Sequence, residues 1–343
     1  MPGVPAPVSG DRDTVVAAAQ PGAVRIAVDL LGGDRAPAVV VDGALRALDA
    51  DADLTLLLVG PPEVADEVVA ALSPADRLRV TVRPVRGLVT MADDPTLAVR
   101  AETTIGAAVH AATTGAADAI VSAGSTGATV TAAVLGFGRW SGVRRPALAA
   151  ILPAMSGPVV LLDVGGSLEA RAGTLARHAV LGAAYAAVVN GTSAPRVGLL
   201  SVGVEGGKGD RPRRAADPAL AAEPLPAGAR YVGLVEGNDV TAGNRADVVV
   251  TDGFTGNILL KGIEGAYDLA GGPPRRGGAP RAAALLGVAG TVVVCHGAAG
   301  AADLASGIAL AARLCRQGAS AAVRTLSADP QRDVRPSDTE VSA

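Results

Sequence analysis

Short uninterrupted apolar runs recur along the chain, each closing in a glycine-rich turn and followed by an alanine-rich stretch: RIAVDLLGGD, LTLLLVGPP, AIVSAGSTG, VVLLDVGGS, VGLLSVGVEGG, ADVVVTDGFTG and TVVVCHGAAG. The rhythm predicts strand, loop and helix, repeated. Strands apolar at every position are buried on both faces, so the expected architecture is an α/β fold, a mostly parallel sheet with helices on either side. Ligands bind at the carboxyl ends of such strands, and the glycine-rich loops are expected to share one sheet edge. Two segments interrupt the rhythm. After Lys208, the stretch GDRPRRAADPALAAEPLPAGAR carries Pro212, Pro218, Pro224 and Pro226, which argue against a long helix. After the helix beginning near Thr255, GGPPRRGGAPRAAALLG reads as a short linker to a strand at Thr291. The uncharged runs 119–138 and 282–302 each read as a strand-like start turning helix-like, not as bilayer spans. Residues 1–22 read as a disordered extension, 23–318 as a single α/β domain and 319–343 as a disordered tail.

Composition narrows the function classes. Of 343 residues, 49% are hydrophobic and 18% charged, with one Trp, three Tyr and two Phe, so the core is expected to be small and aliphatic. A chain of this length buries roughly three quarters of its unfolded surface and needs no disulfide or metal staple. Thirty basic against 33 acidic residues, net −3, argue against a nucleic-acid partner. Two cysteines, Cys295 and Cys315, without C-x-x-C spacing fit a reducing compartment, and neither a metal nor a cofactor is expected. The start, MPGVPAPVSGDRD, lacks the pattern of a secretory signal, so a cytoplasmic location is expected.

Standard nucleotide signatures fail. No G-x-G-x-x-G occurs; GVEGGKGD has Val202 where a P-loop needs glycine and Gly209 where it needs Ser or Thr. AGSTG is not the G-x-S-x-G of a nucleophile elbow. What remains are loops suited to an anion: SAGSTG, with Gly124, Ser125, Thr126 and Gly127, and DGFTGN, with Asp252, Gly253, Thr255, Gly256 and Asn257. Backbone N–H groups at helix starts bind phosphate, although tight turns alone also explain such glycines. The basic count divides into two lysines and 30 − 2 = 28 arginines. Lys208 lies in EGGKG, and Lys261 follows Asn257 at i+4; both are candidate point charges for a phosphate or oxyanion. Asp29 and Asp34 flank Gly32 and Gly33, and Asp163 and Asp252 end apolar runs, where capping the next helix is the simplest role. His296 is a candidate proton donor, and adjacent Cys295 points to the opposite face of its strand. His110 and His178 lie in alanine-rich helical stretches and read as structural.

From about Arg25 to about Leu314 these loops resemble, in order, the PlsX family of phosphate acyltransferases. The match includes Asp29, Gly32, Gly33, Asp34 and Pro37 in IAVDLLGGDRAP, then ADAIVSAGSTGA, RPALAAILP, GPVVLLDVGG, PRVGLLSVG, EGGKG, VEGND, ADVVVTDGFTGNILLK and LLGVAGTVVVCHG. The resemblance implies a Rossmann-like α/β/α sandwich, similar to phosphate acetyltransferases and isopropylmalate dehydrogenases. It implies transfer of an acyl group from acyl carrier protein to inorganic phosphate, giving acyl-phosphate for phospholipid synthesis. On this reading Lys208, Lys261, Asn257 and the SAGSTG loop serve phosphate and oxyanion, with His296 near the leaving sulfur. Arg139, Arg144 and Arg145, or Arg275, Arg276 and Arg281, offer the acidic carrier a basic surface. The chain departs from the family at Ser125 and Ser167 (usually Asn), at Ala298 and Ala299 (usually Ser) and at Val204 (usually acidic). The family's long helical hairpin is reduced to residues 271–290, implying a weaker homodimer and at most peripheral membrane contact. Two alternatives stay open: a degenerate paralogue that binds carrier protein or phosphate without turnover, and an acyl-CoA:phosphate acyltransferase.

Overall fold

A computed structural model of the chain describes residues 22–90, 92–272 and 281–328. Eleven strands form one sheet: β1 (Val24–Asp29), β2 (Leu54–Gly60), β3 (Val80–Pro84), β4 (Ala119–Ser122), β5 (Ala147–Ala154), β6 (Gly157–Leu162), β7 (Arg196–Leu200), β8 (Arg230–Val235), β9 (Val248–Val250), β10 (Ala282–Leu286) and β11 (Thr291–Cys295). The helices are α1 (Ala38–Ala50), α2 (Pro62–Ala71), α3 (Pro74–Arg77), α4 (Thr104–Thr113), α5 (Thr126–Phe137), α6 (Ala172–Asn190), α7 (Arg211–Ala222), α8 (Gly237–Ala242), α9 (Gly253–Leu269), α10 (Ala301–Arg316) and α11 (Ala319–Ser327).

The sheet order is β3-β2-β1-β4-β11-β10-β5-β6-β9-β7-β8. The flanks are parallel, as the apolar runs predict, while the three central pairings, β11 with β10, β10 with β5 and β5 with β6, are antiparallel. Three reversals turn one flank against the other: β1 to β4 and β11 run one way, and β6 to β9 the other. The expectation that the loops share one sheet edge is therefore corrected. Loops after β1, β4 and β11 leave one edge, and those after β6, β7 and β9 leave the opposite edge.

Both faces are covered, giving three layers. On one face α1, α6, α7, α10 and α11 bury side chains such as Val40, Leu175, Tyr185, Leu220, Ile308 and Val323; on the other, α4, α5, α8 and α9 bury Ile105, Ala132, Val240 and Leu260. Glycine lets helices approach closely: a Cβ at Gly43 would fall 2.5 Å from Leu304 Cβ, and one at Gly182 2.7 Å from Val248 Cγ1. Among the described residues α6 alone is long and apolar enough to cross a membrane, yet Leu175, His178, Leu181 and Tyr185 on it are wholly buried in the fold.

Three further expectations change. The segment 319–327 is not tail: it forms α11, whose Ala319, Val323 and Ser327 are buried, Ser327 giving its carbonyl to Arg177 of α6. Residues 211–222 form helix α7 despite two prolines. Pro212 sits in the first turn, where no N–H is needed, and Pro218 removes one bond from an amphipathic helix held by buried Arg213, Ala216 and Leu220. The run 282–302 is two strands before its helix, because AAALL pairs with both β5 and β11 instead of linking to the latter.

Candidate active site

At the first edge, three loops are tied to one another. Asp29 is buried at the end of β1; its Oδ2 accepts from Ser122 Oγ at 2.7 Å and its Oδ1 from the Leu31 amide. Burial pushes its carboxyl up, against the opposing hydrogen bonds of Thr104, Ser122, Leu31 and Gly32. Gly32 lies against the β4 loop, where a Cβ would come 2.7 Å from the Gly124 amide nitrogen. The Asp34 amide donates to Gly297 O at 2.8 Å, and Arg35 Nη2 donates to the carbonyls of Ala298 and Ala299. Gly33, at φ +118°, makes the turn that this contact needs. The aspartates and glycines of the first loop thus hold the backbone that carries His296.

The β4 loop leads into α5, capped by Ser125, whose Oγ accepts from the Ala128 amide at 3.4 Å. The amides of Ser125, Thr126 and Gly127 have no partner among the described residues. This helix start keeps its donors open.

The opposite edge is different. Asp163, wholly buried, accepts from the amides of Leu148, Gly165 and Gly166 through Oδ1, and from the amide and hydroxyl of Ser167 through Oδ2. Its oxygens are spent on the loop after β6. Asp252 caps α9, accepting from the Thr255 amide and hydroxyl and from Arg213. Burial pushes its carboxyl up, but those hydrogen bonds outweigh it and hold it below the usual range. The Gly253 amide donates to Ser167 O, and a Cβ at Gly256 would lie only 2.0 Å from Asp163 O. The glycines of DGFTGN therefore allow helix and loop to touch, and the amides of Gly253 and Thr255 are engaged within the protein.

The two edges meet across the face of the central strands. A cleft is lined by Leu148, Ala150 and Leu152 of β5, Ala283 of β10 and Val294 of β11, with Thr126, Asn257, Glu264, Tyr267, Arg281 and His296 around it. Alternate residues of β5 share one face, so the floor is apolar throughout. Asn257, Leu260, Glu264 and Tyr267 follow 3-4-3 spacing, one face of α9 running about 15 Å along the floor. Asn257 Nδ2 donates to Val164 O at 2.9 Å. A Cβ at Gly165 would lie 3.2 Å from Asn257 Nδ2 and 3.9 Å from Thr126 Cγ2, so the start of α5, the β6 loop and α9 converge there. His296 Nδ1 lies 3.0 Å from Glu264 Oε2.

Of the residues singled out from the sequence, the cleft gathers Thr126, Asn257 and His296. Lys208 and Lys261 are exposed and do not line it, and neither do Ser125 or Ser167, whose hydroxyls serve as cap and loop strut. Arg139, Arg144 and Arg145 are exposed, Arg281 lies at the cleft, and Arg275 and Arg276 lie outside the described residues. Cys295 is buried, its thiol pushed up to about 12 by burial, which removes it as a nucleophile. Sequence reading missed Glu264, Tyr267, Arg35 and the apolar floor. Glu264 had a signal: a carboxylate two turns beyond Asn257 in a helix otherwise apolar on that side. No cluster of three or more potential metal ligands occurs among the described residues.

The chain matches the family described as fatty acid synthesis protein over residues 24–271. The phosphate acyltransferase of Heliobacterium modesticaldum is 38% identical to it over 324 residues, covering 86% of this chain and 94% of that protein. That of Rhodobacter capsulatus is 39% identical over 326 residues, covering 85% and 80%. Among solved structures, a phosphotransacetylase from Streptococcus pyogenes aligns with TM-score 0.59 at 20% identity, over 85% of this chain and 94% of that one. A 4-hydroxythreonine-4-phosphate dehydrogenase from Klebsiella pneumoniae aligns with TM-score 0.51 at 16% identity, over 88% and 100%. These last two share the Rossmann-like fold.

Proposed function

Because this chain belongs to the PlsX family of fatty acid synthesis proteins, we propose that it is a phosphate acyltransferase that moves an acyl group from the thioester of acyl carrier protein to inorganic phosphate. The observation that carries this reading is the make-up of the cleft over the central strands. Open amides at the start of α5 and the Asn257 side chain meet a long apolar floor, with an imidazole alongside. A substrate that is anionic at one end and aliphatic along its length fits that division.

The chemistry asked of the cleft is modest. Phosphate is a nucleophile near neutral pH, and a thiol of ordinary pKa, about 8.5, is a tolerable leaving group. Thr126 and its neighbouring amides hold the phosphate, with the positive end of the α5 dipole favouring its charge. The acyl chain lies on Leu148, Ala150, Leu152 and Ala283, and His296 handles the proton between nucleophile and sulfur. Catalysis then rests on positioning and on donors aimed at the developing oxyanion. Arg139, Arg144 and Arg145 are the exposed cations assigned to the acidic carrier, and no metal or cofactor is assigned a part. Synthesis of acyl-phosphate for phospholipid, in the cytoplasm or loosely at a membrane, follows from the same reading.

Incubation with acyl carrier protein thioesters and phosphate, with hydroxylamine to trap the product, tests it. Hydroxamate that requires both phosphate and protein is expected, with acyl-CoA as the competing donor. A second reading, binding without turnover, is favoured by one observation: the Ser125 hydroxyl caps its own helix and the Ser167 hydroxyl donates to Asp163, leaving the cleft with few donors. Phosphate binding with no hydroxamate from any donor would select it.

A further inference from the structure

We propose that Glu264 is a positioning residue that fixes His296 as the Nδ1–H tautomer, so that the Nε2 lone pair faces the cleft and serves as the proton shuttle of the transfer. The inference rests on the reading above and deepens it. Three observations carry it. Glu264 Oε2 lies 3.0 Å from His296 Nδ1, within reach of a proton borne on that nitrogen, and an ionised carboxylate can only accept. Nε2 has no partner among the described residues, and both residues line the same cleft as Thr126 and Asn257. Both are held from outside: His296 by the loop that Arg35 and Asp34 clamp, Glu264 by α9, with Leu260 and Ile263 buried on either side of its turn.

The chemistry balances without a further reactant. A phosphate oxygen of HPO₄²⁻ attacks the thioester carbonyl while its proton passes to His296 Nε2. The imidazolium so formed donates through Nδ1 to Glu264, whose charge stabilises it. When the tetrahedral intermediate collapses, the carbon–sulfur bond breaks, sulfur takes the electron pair, and Nε2–H returns the proton to it. The products are acyl-phosphate dianion and neutral thiol, and His296 is neutral again. One orienting carboxylate behind an imidazole is the arrangement that fixes tautomer in other acid–base sites.

The chain has three histidines, so nitrogen-15 spectra of its imidazoles can be read residue by residue. His178 supplies an internal contrast: its Nε2 lies 3.2 Å from the Arg145 carbonyl, so an Nε2–H form is expected there. With His296→Gln used for assignment, His296 is expected as the Nδ1–H form in the wild type and as a mixture of tautomers in Glu264→Ala. Under saturating donor and phosphate, Glu264→Ala is expected to lower kcat about 100-fold with KM little changed, and Glu264→Asp to recover part of it. An Nε2–H tautomer in the wild type, or a Glu264→Ala kcat within twofold of wild type, would overturn the inference. A wild type that makes no acyl-phosphate would instead sink the functional reading, while the tautomer spectrum still decides whether Glu264 holds Nδ1–H.

Discussion

The candidate residues separate by what their polar atoms still have free. Asp29, Asp163 and Asp252 have spent their oxygens on neighbouring amides and hydroxyls, whereas Thr126, Asn257 and His296 line the cleft. Asp163→Ala would strand several buried donors at once and is expected to cost roughly 3–5 kcal/mol in denaturant unfolding, too much to assay as a site variant. Gly165→Ala is the sharper probe. Its φ of +138° strains any side chain, and its methyl would press on Asn257, so activity is expected to fall at least tenfold for about 1–2 kcal/mol of stability. A variant as active as wild type would remove this junction from the site. Lys208 and Lys261 stand outside the cleft, so their charge acts at range. Lys208→Ala is expected to raise KM for phosphate severalfold at low salt, the effect fading as salt rises. A loss of kcat that salt does not alter would put the ammonium in direct contact with substrate.

At the scale of elements, the seven strands read from uninterrupted Val/Ile/Leu runs are all present, and the four missed have two physical causes. β5 and β10 are alanine-rich, and alanine is a poor strand former whose runs read equally well as helix or linker. They become strands because each is walled on both sides by others. These are the strands that reverse the sheet, so the opposed loop edges, and the cleft floor between them, were illegible from residue patterns. β3 and β8 are the two edge strands, only partly buried, and lack the apolar run. The loops after β1, β4 and β11 were legible because glycine and short polar residues at a strand end have few other uses, while partners such as Glu264 are set by helix phase against His296, two strands on in sequence order. α11 was missed for want of charge periodicity, yet its Val323 is buried. Val323→Asp is expected to destabilise by about 2–4 kcal/mol, read as a lowered urea midpoint; no shift would mean that α11 does not pack on α6 in solution.

For the whole molecule, ion pairs tie distant segments together: Arg316 to Asp51, Arg196 to Asp247 and Arg213 to Asp252. The Arg316 hydrogen bond holds the Asp51 carboxyl below its usual range; in Asp247 and Asp252 burial pushes upward but the arginine and backbone hydrogen bonds prevail. A carboxyl depressed on folding adds stability above its unfolded value, about 3.9, and loses it as pH falls through the folded one. The raised Asp29 has the opposite sign and weakens folding as it ionises. Depressed carboxyls outnumber the raised one, which predicts a Tm that drops steeply below about pH 4, and a shallower drop in Asp247→Asn, which starts lower at neutral pH; equal slopes would contradict it. The resemblance implies a shortened helical hairpin, and on that expectation sedimentation should show a weak dimer that does not pellet with anionic vesicles; a tight dimer that does would contradict it. The account's central claim is that one cleft, built where the two opposed halves of the sheet meet, joins phosphate to an acyl group. Phosphorus-31 spectra of the wild-type protein with an acyl carrier protein thioester and inorganic phosphate test it most directly. A growing acyl-phosphate resonance, matched by release of free thiol, is predicted; a thioester that stays intact, or that yields only free acid and unchanged phosphate, would contradict it.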